Sequence, residues 1–113
     1  MVKDSTEKGY VYLLGDFAKE GMFKIGVTRG TIERRIKKLQ TGNSGEIYIV
    51  DYFQTEYPFF IEKWMHIKYG GKNVLNEWFE LTVEDIKNFK KDCQKFENLY
   101  KVTHEKKNKN LEV

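Results

Sequence analysis

A chain of 113 residues is sized for one compact domain, and at this length roughly two-thirds of the unfolded surface is buried, so a single core needs no covalent or metal staple. The lone Cys93 cannot close an intramolecular disulfide, and together with His66 and His104 it cannot complete a tetrahedral structural zinc site. The longest apolar run, five residues at 10–14, falls far short of the roughly twenty needed to span a bilayer. With no signal-peptide core in 1–8, the expectation is a protein of a reducing cell interior, cytoplasmic or nuclear, neither secreted nor membrane-bound.

The formal charge of +3, from 20 basic and 17 acidic residues, is too mild to name a partner, but its distribution is uneven. Between positions 24 and 38 stand Lys24, Arg29, Arg34, Arg35, Lys37 and Lys38 against the single acid Glu33. Taken alone such a run is more often a solvated helix face than a phosphate-binding surface.

In chain order, Tyr10-Val11-Tyr12-Leu13-Leu14 is short, apolar and partly aromatic, and stops at Gly15-Asp16, which predicts a strand. Residues 23–27 predict a second. The connection 15–21 carries a glycine at each end and suits a hairpin, so the two strands should pair antiparallel. Alternation then sets Tyr10, Tyr12 and Leu14 on one side of the first strand, and Lys24 with Gly26 on one side of the second. Thr28 or Thr31 caps a helix reaching about Gln40, which Thr41-Gly42-Asn43 stops. At about 100° per residue Ile32, Ile36 and Leu39 form its buried stripe, with Arg34 almost opposite and Arg35 on the flank.

Residues 47–53 alternate into a third strand. Pro58 opens a second helix reaching Lys68 or Tyr69, on which Glu62 and His66 stack one turn apart. After Gly70-Gly71 a short irregular piece carries Asn76-Glu77-Trp78-Phe79, of which Trp78 and Phe79 are expected to pack the last helix, with stacking on a nucleobase as the alternative. Thr82 with Asp85 resembles a capping box starting that helix. Its apolar positions Ile86, Phe89, Cys93, Phe96 and Leu99 keep helical spacing, which makes Cys93 a core residue rather than a nucleophile. From Lys101 the polar run has no apolar stripe and reads as frayed or disordered. The expected fold is α+β: a three-stranded antiparallel sheet covered by helices, in the order ββαβαα.

Three segments in this order carry a resemblance: Tyr12 within Tyr10-Val11-Tyr12-Leu13, then Lys24-Ile25-Gly26, then 35–43, Arg35-Ile36-Lys37-Lys38-Leu39-Gln40-Thr41-Gly42-Asn43. Together with Glu62, His66 and Glu77-Trp78-Phe79 they resemble the GIY-YIG endonuclease superfamily, in its small branch whose second signature reads K-I-G. Tyr10 stands where that superfamily usually has glycine, and Lys24 where most members have a tyrosine implicated in the chemistry. The resemblance implies a nuclease domain at 10–81, preceded by a flexible segment at 1–9 and followed by a packed helix at 82–103 and a disordered tail at 104–113.

What the resemblance implies residue by residue suits phosphodiester hydrolysis, which needs a nucleophilic water, positive charge on the phosphoryl group and help for the leaving oxygen. Glu62 becomes the single ligand of Mg²⁺ or Mn²⁺, a hard cation that keeps most of its waters. Arg35 contacts the scissile phosphate with its planar, permanently charged fork. Tyr12 activates or orients the attacking water, and Lys24 on the neighbouring strand lowers its phenolic pKa or itself touches phosphate. His66 donates to phosphate, protonates the leaving oxygen or ligates the metal. Gly26 permits close backbone approach or marks a bulge. Arg29, Arg34, Lys37 and Lys38 are the candidate nucleic-acid contacts.

The leading expectation is therefore a metal-dependent DNA endonuclease acting on structured or single-stranded DNA, with no small-molecule cofactor. The runner-up is a weak or inactive nucleic-acid-binding module using the same basic surface. A protein-interaction adaptor exposing Trp64 or Trp78 is the third reading, and oligomeric state is left open.

Overall fold

The computed structural model describes residues 8–112, with side chains up to position 104. Strands β1 (Gly9–Asp16) and β2 (Met22–Thr28) form a hairpin, followed by helix α1 (Ile32–Thr41), strand β3 (Ile47–Thr55) and helix α2 (Pro58–Lys68). A 3₁₀ turn at Gly70–Lys72 leads into two short strands, β4 (Asn73–Leu75) and β5 (Trp78–Glu80), and helices α3 (Val83–Lys87) and α4 (Phe89–Glu112) close the chain. No described helix is long and apolar enough to cross a membrane. The expectations for 1–9 and 104–113 fall largely outside the residues whose side chains are described.

The sheet has five strands, in the order β3-β1-β2-β5-β4 with every pair antiparallel, which corrects the expected three-stranded sheet and its ββαβαα order. The two added strands are three residues each, too short to display alternation, and form by pairing rather than by propensity. Met22, Phe23 and Lys24 pair with Glu80, Phe79 and Trp78. The tight turn between β4 and β5 uses Asn76 at φ +52°, and Asn73 Nδ2 donates across it to the Asn76 carbonyl at 2.6 Å.

β1 is central and buried on both faces, which explains its unbroken apolar run. Val11 and Leu13 pack with Phe23, Ile25, Ile61, Met65, Phe79, Phe89 and Cys93 on the face covered by α2 and α4. Tyr12 and Leu14 pack with Ile32, Ile36, Leu39 and Ile47 on the face covered by α1, so the predicted stripe of α1 is the stripe that docks. Thr31 is the N-cap of α1, accepting from the Arg34 N–H at 3.2 Å. The Thr82–Asp85 capping box starts α3, but the expected single last helix is broken at Asn88. Strand alternation splits the expected aromatic pair: Phe79 is buried against Phe89 and Cys93, whereas its neighbour Trp78 lies on the α1 face opposite Lys24.

A buried polar knot fixes the loop between α1 and β3. Asp16, 2% exposed, accepts from Asn43 Nδ2 and from the Ala18 N–H, each at 2.8 Å. Gln40 Nε2 donates to the Gly45 carbonyl at 2.7 Å while its Oε1 accepts from the Ile47 N–H at 2.9 Å. A Cβ on Gly45 would stand 2.0 Å from Asp16 Oδ1, so the loop closes only with glycine there. Burial alone would raise the Asp16 pKa, but Asn43, Ala18 and the charge of Lys19 hold it below the ordinary carboxylate range.

Because the native pKa is depressed, Asp16's contribution to stability is complete above its unfolded value of about 3.9 and is lost as pH falls below that through the native value. Asp16→Asn sets two amide donors against each other at Asn43, so chemical denaturation near neutral pH should show a loss of about 1–3 kcal/mol. The same variant should shed part of the wild-type decline in stability between about pH 4 and the native pKa. Wild-type stability at neutral pH, or an unchanged acid limb, would contradict this account.

Candidate active site

Tyr12 stands opposite Gly26 in the β1–β2 register, and its ring lies across the glycine. A Cβ at position 26 would sit 2.5 Å from the Tyr12 Oη and 2.7 Å from Cζ, closer than real Cβ atoms approach. Glycine is required here for space rather than for backbone conformation. The Tyr12 hydroxyl accepts the Arg35 Nε–H at 3.2 Å. Tyr12 is 0% exposed and Arg35 is half-buried above it.

Burial raises the Tyr12 pKa, outweighing the hydrogen bond and charge of Arg35 that lower it. The Arg35 pKa is raised in turn, first by its hydrogen bond to Tyr12. The pair is thus a neutral phenol beneath a charged guanidinium. This corrects the expectation that Lys24 would tune the phenol: the cation that hydrogen-bonds it is Arg35, and burial still keeps its proton on.

Glu62 and His66 arrive on α2 from the other side of the sheet, at a gap in its hydrogen bonding, whereas Lys24 shares the Tyr12 face of β2. β5 pairs with β2 only as far as Lys24; the Ile25 N–H donates to the Glu77 carbonyl at 3.2 Å, and no described strand pairs with that edge further on. The Ile25 carbonyl is taken instead by His66 Nε2 at 2.9 Å, and since a carbonyl only accepts, that nitrogen carries the proton. The same nitrogen lies 3.8 Å from Glu62 Oε2, and the ring stands edge-on to Phe79 at 5.0 Å. Lys24, its side chain 13% exposed, pairs with Glu77 at 3.1 Å. Burial chiefly raises the Glu62 pKa; Glu77 adds to this, while His66, Lys24 and Arg35 oppose it. Tyr12, Lys24, Arg35, Glu62 and His66 therefore share one electrostatic neighbourhood.

Beside this neighbourhood runs an open groove of about 600 Å³ whose basic wall is Arg34, Arg35, Lys37 and Lys38, with Thr28 and Thr31 at its far end. Arg34 and Arg35 face the same groove, the first exposed and the second half-buried. Arg29 does not line it; its guanidinium lies 5.5 Å from the centre of the Phe59 ring, at the start of α2. Sequence reasoning missed Glu77 as the partner of Lys24. No spacing brings positions 24 and 77 together, since their contact depends on the unpredicted β2–β5 pairing.

No three His, Cys, Asp or Glu side chains gather as a metal site among the described residues. The donor set suits one hard dication: a half-buried carboxylate, Glu62, whose ion-pair partner among the described residues is His66 at the long distance of 3.8 Å. A carboxylate so placed is short of positive charge, and a cation retaining most of its waters needs few protein ligands. His66 Nε2 is already committed to Ile25, which ties the imidazole to the sheet.

Residues 9–94 match the T5orf172 domain, a nuclease-related family. No curated protein and no solved structure matches the chain.

The steric dependence of Tyr12 on Gly26 is measurable. Gly26→Ala should cost about 1–3 kcal/mol in denaturant titrations, as an overpacked position does. Combined with Tyr12→Leu, which withdraws the atoms the new methyl meets, the cost should shrink well below the sum of the two. Additive effects would mean the methyl is accommodated elsewhere.

Proposed function

Because the chain belongs to the T5orf172 domain family, we propose that it is a DNA endonuclease of the GIY-YIG type, dependent on Mg²⁺ or Mn²⁺. The observation that carries this reading is the convergence at one gap in the sheet. The Arg35–Tyr12 pair comes from one face and the Glu62–His66 pair from the other, and Arg35 also lines the basic groove. A core built only for stability has no reason to bring a buried phenol, a guanidinium, an underpaired carboxylate and a histidine to the end of one short strand.

In this reading Arg35 stabilises the phosphoryl group as its charge builds. Its Nε is held by Tyr12, which leaves the two terminal nitrogens of the fork for phosphate oxygens. Tyr12 works through Arg35, as a neutral hydrogen-bond acceptor that fixes the fork. Glu62 would hold the divalent cation, which supplies charge neutralisation and a water of lowered pKa when bound. Lys24, drawn toward Glu77, is the ammonium nearest to serve a phosphate oxygen, and His66 orients Glu62 while anchored to Ile25. Arg34, Lys37 and Lys38 hold the DNA backbone along the groove, while Arg29, beside Phe59, is left outside it.

The direct test is incubation with supercoiled and branched DNA, with and without Mg²⁺ or Mn²⁺. Cleavage should need the metal and vanish in Glu62→Ala, while that variant still binds DNA through the basic groove. Binding without cleavage in the wild-type chain would instead favour a nucleic-acid-binding module on the same surface.

Single-turnover rates at saturating DNA separate the side chains. Arg35→Ala should lose two to three decades, on the order of 2.7–4 kcal/mol, as when a transition-state donor is removed. Arg34→Ala should keep its rate, bind more weakly and lower the salt slope by roughly one. Tyr12→Phe should lose about one decade, the value of a single hydrogen bond to Arg35. A loss of roughly 10²–10⁴ in Tyr12→Phe would assign the tyrosine a direct role in proton transfer.

A further inference from the structure

Trp78 is a half-buried aromatic outside both core clusters. Its strand neighbour Phe79 fills the core, and alternation turns the indole to the α1 face. There Trp78 walls a concavity of about 220 Å³ with Lys24, Lys38, Leu39, Gly42 and Asn43. The Lys19 ammonium lies 4.5 Å from the centre of its ring and that of Lys24 5.7 Å away. Lys38 also belongs to the basic groove, and Lys24 to the neighbourhood of Glu62. The concavity therefore joins the two.

We infer that this concavity is a nucleobase subsite: the base of a nucleotide flanking the scissile phosphate leaves its stack and lies against Trp78, while Lys19 and Lys38 meet the backbone on either side. The inference rests on the nuclease reading and adds where the substrate is distorted. The Lys19 ammonium lies over the indole at 4.5 Å, and a base that takes its place on the ring and frees it for the backbone finds what single-stranded DNA binds, a stacking surface beside a positive track. The same wall offers little to read base identity. Both donors of the Asn43 amide nitrogen go to Asp16 and the Gly45 carbonyl, each at 2.8 Å, which leaves no directed side-chain donor there, and lysines are undirected donors. The subsite accordingly selects for an unpaired base rather than for a sequence, and favours single-stranded or branched DNA over regular duplex.

The chain has two tryptophans, so Trp64→Phe leaves Trp78 as the only indole reporter. With EDTA present to stop cleavage, a short oligothymidylate should quench this fluorescence, and an abasic oligonucleotide of equal length should bind, by anisotropy, without quenching it. In an otherwise wild-type chain, Trp78→Leu should weaken oligothymidylate binding roughly five- to hundredfold, the effect of losing one stacked base, and leave the abasic strand unaffected. Should Trp78→Leu fail to fold, the fluorescence of the Trp64→Phe chain decides by itself. Equal quenching by both strands, or oligothymidylate binding that leaves Trp78 unquenched, would overturn the subsite while sparing the nuclease reading. Failure of both strands to bind would overturn the subsite, and the nuclease reading would fall with it only if supercoiled and branched DNA were neither bound nor cleaved.

Discussion

The site depends on one steric constraint: the Tyr12 ring can lie across β2 only because Gly26 has no side chain. A methyl group at position 26 would fall 2.5 Å from the phenolic oxygen, so the ring would have to leave the surface it now covers. With the ring in place, its hydroxyl reaches the Nε of Arg35 and pins the guanidinium of α1 over the sheet. Pinning a long cationic side chain costs conformational entropy, and the hydrogen bond to a buried, neutral phenol offsets part of that cost before any ligand arrives.

A second constraint is the length of β5. Three residues of pairing carry the sheet past Lys24 and then stop, leaving the Ile25 carbonyl without a strand partner. His66 takes that carbonyl, and through it α2 is tied to the sheet where Glu62 is one helical turn away. Two acids, Glu62 and Glu77, then face two permanent cations, Lys24 and Arg35. Lys24 is drawn to Glu77 at 3.1 Å, and among the described residues Glu62 has the long ion pair with His66 alone. That uneven pairing leaves Glu62 as the group with most to gain from a bound cation.

The polar knot of Asp16, Gln40, Asn43 and Gly45 serves the same geometry at a distance. By tying the end of α1 to the ends of β1 and β3, it sets how far along the sheet α1 lies, and hence where Arg35 falls. The residues 40–43, whose spacing marks only a helix stop, thus act as a fastening. Further along the same edge strand, β3, Lys90 donates to the Tyr52 carbonyl and pairs with Asp51 at 2.9 Å, which blunts an edge that could otherwise recruit another strand.

Sequence by itself determined the elements whose signals are local. Strands at 10–14 and 23–27, the Thr31 cap, the Ile32–Ile36–Leu39 stripe, Pro58 opening a helix and the Thr82–Asp85 box all follow from periodicity and capping, which act within a few residues. The order of motifs also brought Tyr12, Lys24, Arg35, Glu62 and His66 into consideration together. Only the tertiary structure decided what required two distant segments to meet. The three-residue strands 73–75 and 78–80 exist because β2 offers them an edge, so the five-stranded sheet, the Lys24–Glu77 pair and the turning of Trp78 away from Phe79 were not legible beforehand. The protonation of Tyr12 belongs to the same class. A phenol already holds its proton at neutral pH, but that burial outweighs Arg35 and raises its pKa further is decided by packing, which is a property of the whole fold.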